Sequence, residues 1–392
     1  MTTGTGTGTG ADTGWVPPTE VERRLREAHA RGSRDELIDA LSRSRLYVLT
    51  ARLHADTPGF TPPPVPAREP SGRRMCLPVL TAGMLPPWHP EWVFRQTSLA
   101  ELARTWPDNR WRLGVNHGTP GAIAVDARPR RRREWLAARV RSGGPARIGL
   151  LTHGGGPLHG PLAHGLAVGA HLAVLNGLVW NQLGTVYEEY ALDIARLEHP
   201  WRIGNRAGYE QVLSSLMATR LIGRTHESAL RLRRSLAARL GRTPSSAEWR
   251  EAAALDRARR GVSDADAAES EEALGRIEKY EELLRAEGVL APGARVDSLA
   301  AFDHGRAVNV VRLALGARYC DPAQAEQSVL RIGALARQAY GSWEEFALGY
   351  ALARLIHFDD EDASGTVRRE TLAQHRVLTR DPAGPYRNIP WS

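Results

Sequence analysis

The sequence is poor in cysteine and almost free of lysine. Cys76 and Cys320 are the two cysteines among 392 residues, and they lie far apart in the sequence. This excludes a disulfide scaffold and a thiolate zinc site as the basis of the fold, and it favours a reducing, cytoplasmic location. Lys279 is the single lysine, so arginine supplies the positive charge behind the net charge of +8, a bias typical of a GC-rich genome.

A long hydrophobic run is also missing. The segment that comes nearest to one, Gly165–Trp180, is shorter than the roughly 20 residues that a membrane-spanning helix needs, and it contains His171. We therefore expect a buried helix of a globular domain and no membrane span. Gly165, Gly169 and Ala173 recur at every fourth position, a spacing that lets another helix pack closely.

The N-terminal segment lacks the features of a signal peptide. It reads MTTGTGTGTGADTG, with neither a basic start nor an apolar stretch. Its Thr/Gly repetition predicts a disordered tail over residues 1–20.

The catalytic motif of a hydrolase is incomplete. The segment LLTHGGGPLHG places three glycines, Gly154–Gly156, after a strand-like run, and such glycines build the oxyanion hole of lipase-like esterases. That chemistry also needs a G-x-S-x-G nucleophile elbow, and the sequence contains none. We expect these glycines to form a turn, and we assign no catalytic residue.

Metal-binding spacing is absent as well. Four histidines, His153, His159, His164 and His171, fall close together, but the H-E-x-x-H pattern of a zinc site does not occur. The acidic run HFDDED lacks the spacing of a calcium loop. We therefore expect no metal and no cofactor.

The patterns that are present predict an α+β chain in two modules. Short helices and strands alternate with turn-forming segments over residues 21–127, which predicts a small mixed α/β domain. We expect the proline-rich stretch Thr57–Arg74 to be a loop. Residues 128–164 are basic and then rich in Gly and His, as in a linker. Apolar positions at spacings of three and four over residues 165–392 predict a mostly α-helical domain.

The first module resembles a known family. The segments RLYVLTARL, LPVLTAG and SLAELARTWPDNRWRLGVNHGTPGAIAVD are similar to the N-terminal domain of the SseB, or enhanced serine sensitivity, family. The turn V-N-x-G-x-P is the most specific element, and Val115, Asn116, Gly118 and Pro120 match it. The resemblance implies a binding or accessory role and brings no established catalytic residues.

The second module resembles the domain of unknown function numbered 1266, over about residues 172–392. The likeness rests on the helix AFDHGRAVNVVRLALGARY, the helix start SWEEF and the closing RDPAGPYRNIPW. Phe302 and Tyr386 stand where the family usually has tryptophan, so an indole N–H is lost at both positions. The resemblance implies a fold and a set of marked residues, and it implies no known activity.

The marked residues form our candidate ligand or partner site. Asp303, Arg306 and Asn309 share one helical face, where Asp303 and Arg306 can form an i, i+3 ion pair. Asn309 can then reach Trp343 or Glu344 on a neighbouring helix. Two interpretations remain open: a buried network that fixes helix packing, and a polar pocket for an anionic ligand or a partner's side chain.

A second candidate is the basic cluster RPRRRREW. Arg130, Arg131, Arg132 and Arg133 stand beside a tryptophan, a composition that can grip phosphates. No nucleic-acid reading motif accompanies them, so we expect a solvated linker and no nucleic-acid partner, and we keep nucleic-acid binding as an alternative.

Taken together, these patterns favour a non-enzymatic cytoplasmic accessory or regulatory protein. We expect it to bind another protein, in connection with secretion or with the neutralisation of an effector. The alternative is a small-molecule-binding, hydrolase-like enzyme with a polar pocket at Asp303, Arg306 and Glu344.

Overall fold

The computed structural model describes residues 14–55, 62–69, 72–87, 89, 91–184, 190–261 and 263–392. The chain divides into two compact units. The first comprises Met1–Pro87, Glu91–Ala146 and Thr152–Gly155, and the second comprises Trp88–Pro90, Arg147–Leu151 and Gly156–Ser392. The first unit carries a mixed sheet with helices and the second is helical, so the expected α+β class is confirmed.

Six strands of the sheet in the first unit are described. They are β1 (Leu46–Ala51), β2 (Val65–Glu69), β3 (Gly72–Thr81), β4 (Trp92–Thr97), β5 (Arg112–Val115) and β6 (Ile123–Val125). The order is β4-β1-β3-β5-β6, with β2 paired to the first half of β3. The β3–β5 pair is parallel, and the other pairs are antiparallel.

The described residues of the first unit form five α-helices: α1 (Glu20–Ala30), α2 (Arg34–Arg43), α3 (Arg52–Ala55), α4 (Leu99–Arg104) and α5 (Pro129–Ser142). Alternate strand residues such as Val48, Val79 and Val115 point to one face of the sheet, because side chains alternate along a strand. They share a core with apolar residues of the helices. Trp135 of α5 is fully buried there, edge-on to Trp106 with ring centroids 5.7 Å apart.

Three predicted boundaries in this unit are wrong. The predicted tail ends at residue 20, whereas α1 begins at Glu20 and the Thr19 hydroxyl caps it; residues 1–13 lie outside the described residues. The predicted loop 57–74 contains β2 and the start of β3, because a proline is tolerated in a peripheral strand; residues 56–61, 70 and 71 lie outside the described residues. The predicted linker 128–164 begins with α5, which is helical because its apolar side chains pack on the core.

Twelve helices are described in the second unit. They are α6 (Gly160–Val168), α7 (Ala170–Asn176), α8 (Tyr190–Trp201), α9 (Arg206–Met217), α10 (Arg224–Leu240), α11 (Ser246–Arg260), α12 (Asp264–Ala286), α13 (Ala300–Gly316), α14 (Pro322–Ala339), α15 (Trp343–His357), α16 (Thr366–Arg380) and α17 (Pro385–Asn388). Asp321 and Gln324 form a capping box at the start of α14, and the Ser342 hydroxyl caps α15.

Helix α13 is the centre of the second unit. Nearly all of its residues are buried, and it contacts α6, α7, α8, α9, α14 and α15. A helix that is buried on nearly all sides needs other helices around it.

The predicted close helix packing is present. The apolar segment around residue 170 is two helices, α6 and α7, that meet at Gly169. A Cβ atom on Gly165 would come within 2.5 Å of the Val329 carbonyl oxygen on α14, and Gly333 faces Gly165 from the same helix. Within the described ranges, no helix has the length and apolar character needed to cross a membrane.

Candidate functional site

Asp303 is fully buried on α13 and is engaged on both oxygens. One oxygen accepts the backbone N–H groups of Leu221 and Ile222, each at 3.0 Å. The other pairs with Arg306, one turn further along the helix. The expected i, i+3 ion pair is therefore present. Because protein donors occupy both oxygens, this carboxylate ties the α9–α10 connection to α13 and leaves little room for a substrate.

Arg306 is enclosed by aromatic rings as well as by its carboxylate partner. Its guanidinium carbon lies 4.2 Å from the ring centroid of Phe302 and 5.6 Å from that of Trp201. Its side chain is 11% exposed. Cation–π contacts with two rings hold the guanidinium in one place, which favours the packing interpretation of this pair.

The remaining members of the predicted site do not join it. Trp343 is buried, but its indole N–H donates to the Ile389 carbonyl at 2.8 Å. Glu344 is exposed and Asn309 is half-buried. The expected hydrogen bond from Asn309 to Trp343 or Glu344 is absent, because the C-terminal segment occupies the indole instead.

The four arginines of the basic cluster lie on α5. Within Arg130–Arg133, the first and last residues are exposed. Arg131 pairs with Glu134 at 2.8 Å, and Arg132 donates to the Asn109 side chain. Two of the four guanidiniums are therefore partly neutralised or used within the unit, which weakens the case for a continuous phosphate-binding surface.

The acidic run after α15 is paired with α12. Asp359 accepts from the Lys279 ammonium at 2.6 Å, and Asp360 pairs with Arg276 at 3.0 Å. Arginine and lysine side chains of the protein itself therefore form ion pairs with these two carboxylates. In the part of the chain that the structure describes, no group of three or more His, Cys, Asp or Glu side chains is placed to hold a metal ion.

A set of buried polar side chains lies among α7, α15, α16 and α17. His171 stacks on Tyr350 with ring centroids 3.9 Å apart, and Nδ1 of this histidine lies 2.9 Å from the Tyr386 hydroxyl. Arg354 donates to Glu370 at 3.0 Å. We call the following residues the buried polar cluster: His171, Tyr350, Arg354, Glu370, Gln374 and Tyr386.

Several atoms of the buried polar cluster have no hydrogen-bond partner among the described residues. They are the Tyr350 hydroxyl, Arg354 Nη1, His171 Nε2 and both amide atoms of Gln374. Burial, together with the charges of His375 and Arg354, lowers the pKa of His171 well below its usual 6.5, so this ring is neutral. Unsatisfied buried polar groups are rare in proteins, and ordered water or a polar ligand commonly serves them.

The sequence marks two members of this cluster, His171 inside an apolar run and Tyr386 in the closing segment, and it does not indicate that they meet. Arg354 stands in the apolar stretch ALARLIHF, and a charged residue in such a stretch indicates a buried polar contact. Gln374 gave no signal, since amphipathic helices commonly carry glutamine on their solvent face.

A groove crosses the first unit between α1, α2 and α5, with a volume of about 890 Å³. We call it the α1/α2/α5 groove. Buried and half-buried apolar side chains contribute to its floor, and exposed charged side chains of both signs contribute to its rim: Val21, Ala28 and Ala40, and Arg24, Asp35 and Arg141. The exposed Ala137 lines it from α5. Next to it on α5, Val140 is 84% exposed. No sequence pattern indicates this groove, because α5 is distant in sequence from α1 and α2.

The comparison with protein families fits the helical unit. Residues 196–391 match the family described as Protein of unknown function (DUF1266). The match covers half of the 392 residues, and the chain belongs to this family. The family-marked residues Trp343 and Tyr386 stack with centroids 4.4 Å apart, so part of the pattern records how the C-terminal segment packs. Comparison with curated proteins and with solved structures gave no match.

Proposed function

We propose that this protein binds another protein and that the α1/α2/α5 groove receives it. The groove is the observation that carries the proposal. It combines apolar floor residues with a charged rim, the arrangement found at protein–protein interfaces. The strongly exposed Val140 extends the apolar surface on the same side of α5 as Ala137, three residues earlier.

The chemistry of the groove favours an amphipathic helix as the occupant. Ala28, Ala40 and Ala137 keep the side chains around the floor short, so a partner backbone can approach closely. A helix places an apolar stripe between two charged flanks, and those flanks would meet rim charges such as Asp35 and Arg141. Helix-in-groove recognition is a common way for proteins to bind a partner segment.

The proposal also covers the role and the location of the protein. The sequence resemblance of residues 21–127 to the SseB family implies an accessory role, connected with secretion or with neutralising an effector, and the scarcity of cysteine favours the cytoplasm. The enzyme alternative loses support at Asp303, where both carboxylate oxygens are engaged. Nucleic-acid binding loses support at Arg131 and Arg132, which are engaged within the unit.

A photo-crosslinking experiment tests the groove directly. A benzophenone amino acid placed at Ala137 in the full chain should crosslink one partner in native cells, at a helical segment of that partner. The same probe at Leu255, which is 54% exposed on α11 of the second unit, is the control and should not crosslink it.

Substitutions distinguish binding in the groove from binding at the Asp303–Arg306 pair. Ala137→Glu should weaken partner binding at least about tenfold, since a charge at an apolar contact is costly, whereas Leu255→Glu and a folded Arg306→Ala should retain it. Retention of the partner by Ala137→Glu and its loss in Arg306→Ala would overturn the groove and place binding on the helical unit.

A further inference from the structure

The buried polar cluster places three side chains with free hydrogen-bonding atoms on α15 and α16. Tyr350 and Gln374 are 0% exposed, and Arg354 is 5% exposed. The Tyr350 hydroxyl, Arg354 Nη1 and both amide atoms of Gln374 have no hydrogen-bond partner among the described residues. A buried polar group without a partner is unfavourable, so four such atoms in one cluster indicate a bound molecule that completes them.

The pairing of α15 with α16 brings these side chains together. Arg354 of α15 donates to Glu370 of α16 at 3.0 Å. Two turns earlier on α15, the backbone of Ala347 interacts with His375, which lies further along α16. The two helices therefore run antiparallel, and the Arg354–Glu370 pair fixes their register.

This register places Tyr350 opposite Gln374. Tyr350 lies one turn before Arg354 on α15, and Gln374 lies one turn after Glu370 on α16, so the two side chains belong to the same layer of the helix pair. That layer lies about 6 Å along the helix axis from the Arg354–Glu370 pair. His171 stacks on the Tyr350 ring with centroids 3.9 Å apart, and its Nε2 is also free. One small molecule can thus reach the free atoms of both layers.

The charge of the cluster favours an anion. Glu370 is its single carboxylate, and it pairs with Arg147 at 2.6 Å through one oxygen and with Arg354 through the other. Two arginines therefore share one carboxylate, which leaves an excess of one positive charge. Burial raises the pKa of Tyr350 to about 12, and the positive charges of Arg354 and Arg306 act against that rise. An anion is attracted to such a position and a cation is repelled.

We propose that the buried polar cluster binds a small carboxylate. The Tyr350 hydroxyl, Arg354 Nη1 and the Gln374 amide nitrogen can all donate, whereas Gln374 Oε1 is the one atom of these four that must accept. A carboxylate supplies two accepting oxygens, and its single negative charge matches the excess positive charge. Hydrogen bonds between a guanidinium and a carboxylate are among the strongest in proteins.

Saturation-transfer NMR on the full chain with sodium formate, the smallest carboxylate, tests this site. The formate proton signal should show saturable transfer with a Kd in the millimolar range or tighter. Formamide has a similar size but no charge, so it should bind at least about tenfold more weakly. The absence of saturable formate binding would mean that ordered water alone serves these atoms, and it would overturn the proposal, as would equal affinity for the two probes.

A pair of tyrosine variants locates the binding. Tyr350→Phe removes a hydroxyl that has no partner in the protein and keeps the ring, so the chain should fold and bind formate at least about tenfold more weakly. Tyr340→Phe is the matched control, because that buried hydroxyl is already engaged by the Ala301 N–H and the Ser298 carbonyl, each at 2.9 Å. Its affinity for formate should change less than about twofold.

A substitution on α16 gives an independent readout. Gln374→Met keeps the length of the side chain and removes the amide, so it should also weaken formate binding at least about tenfold. Either folded variant is enough to decide. Unchanged affinity in Tyr350→Phe or in Gln374→Met would contradict this site.

Discussion

At the scale of single residues, the helical unit contains buried ion pairs. Asp303 with Arg306 is one such pair, and Arg233 with Glu281 is another, with side chains 4% and 2% exposed. Buried pairs are weak contributors to net stability, yet the loss of one partner is costly because the other charge stays buried. Their role here is to fix how chain segments meet.

The Arg233–Glu281 pair gives the sharpest residue-scale prediction. Glu281 accepts from Arg233 at 2.7 Å and from the Val296 N–H at 2.8 Å. Glu281→Gln retains an acceptor but leaves the guanidinium uncompensated, so the free energy of unfolding should fall by about 3–5 kcal/mol. Urea denaturation of the full chain measures this.

The matched control for that substitution lies on the same helix. Glu272 is 60% exposed and pairs with Arg276 at 2.6 Å, so Glu272→Gln should cost less than about 1 kcal/mol. Equal losses in the two variants would show that burial of the pair does not govern its contribution.

At the scale of elements, the close contact between α6 and α14 explains why Gly165 stands in the apolar segment. Gly165 on α6 and Gly333 on α14 face each other, and a Cβ atom on Gly333 would lie 3.0 Å from the Gly165 Cα. A side chain at either position therefore pushes two helices apart, and the backbone of α14 cannot move aside cheaply.

We expect Gly165→Ala to destabilise the protein by about 1–3 kcal/mol, although alanine is the better helix former. Gly275→Ala is the control, since its helix position has open space around it, and it should stabilise the protein by several tenths of a kcal/mol to about 1 kcal/mol. Thermal unfolding of both variants, followed by circular dichroism, gives the comparison. A stabilised Gly165→Ala protein would contradict the packing argument.

The same elements show how far sequence patterns reach. Periodicity predicted the helical character of residues 165–392, because local signals and burial agree there. The prolines of β2 argue against a ladder, and the run of arginines at the start of α5 favours a linker, although Trp135 lies in the core. In both cases the contacts with the rest of the unit decide the structure.

In the predicted site, too, local sequence determines some contacts and tertiary packing determines the others. The Asp303–Arg306 pair follows from helix geometry alone, since residues three apart are neighbours on a helix. The positions of Trp343 and Glu344 depend on where the C-terminal segment packs, which no local pattern contains. The groove and the buried polar cluster arise between elements distant in sequence, so only the structure brings them together.

At the scale of the whole molecule, buried histidines are concentrated in the second unit. In the second unit, burial lowers the pKa of His164, His304 and His375 to about 4, from a usual value of 6.5. The pKa of His171 is lowered further in the same core. In the first unit, burial lowers the pKa of His153.

This asymmetry predicts which unit responds to acid. The pKa values of these histidines are lower in the folded state than in the unfolded state, so between about pH 6.5 and pH 4 the unfolded chain binds more protons. The stability they contribute is present above pH 6.5 and is lost as the pH falls through that window. The helical unit should therefore lose more stability than the first unit.

Hydrogen exchange followed by mass spectrometry resolves the two units within the intact chain. Between about pH 7.5 and pH 5, after correction for intrinsic exchange rates, protection should drop in peptides from α6, α13 and α16 more than in peptides from the sheet. A folded His164→Gln protein, which keeps a polar group but cannot take up a proton, should lose less protection in α6. Equal loss in both units would mean that carboxylates rather than these histidines control the acid response, because buried neutral histidines are concentrated in the helical unit.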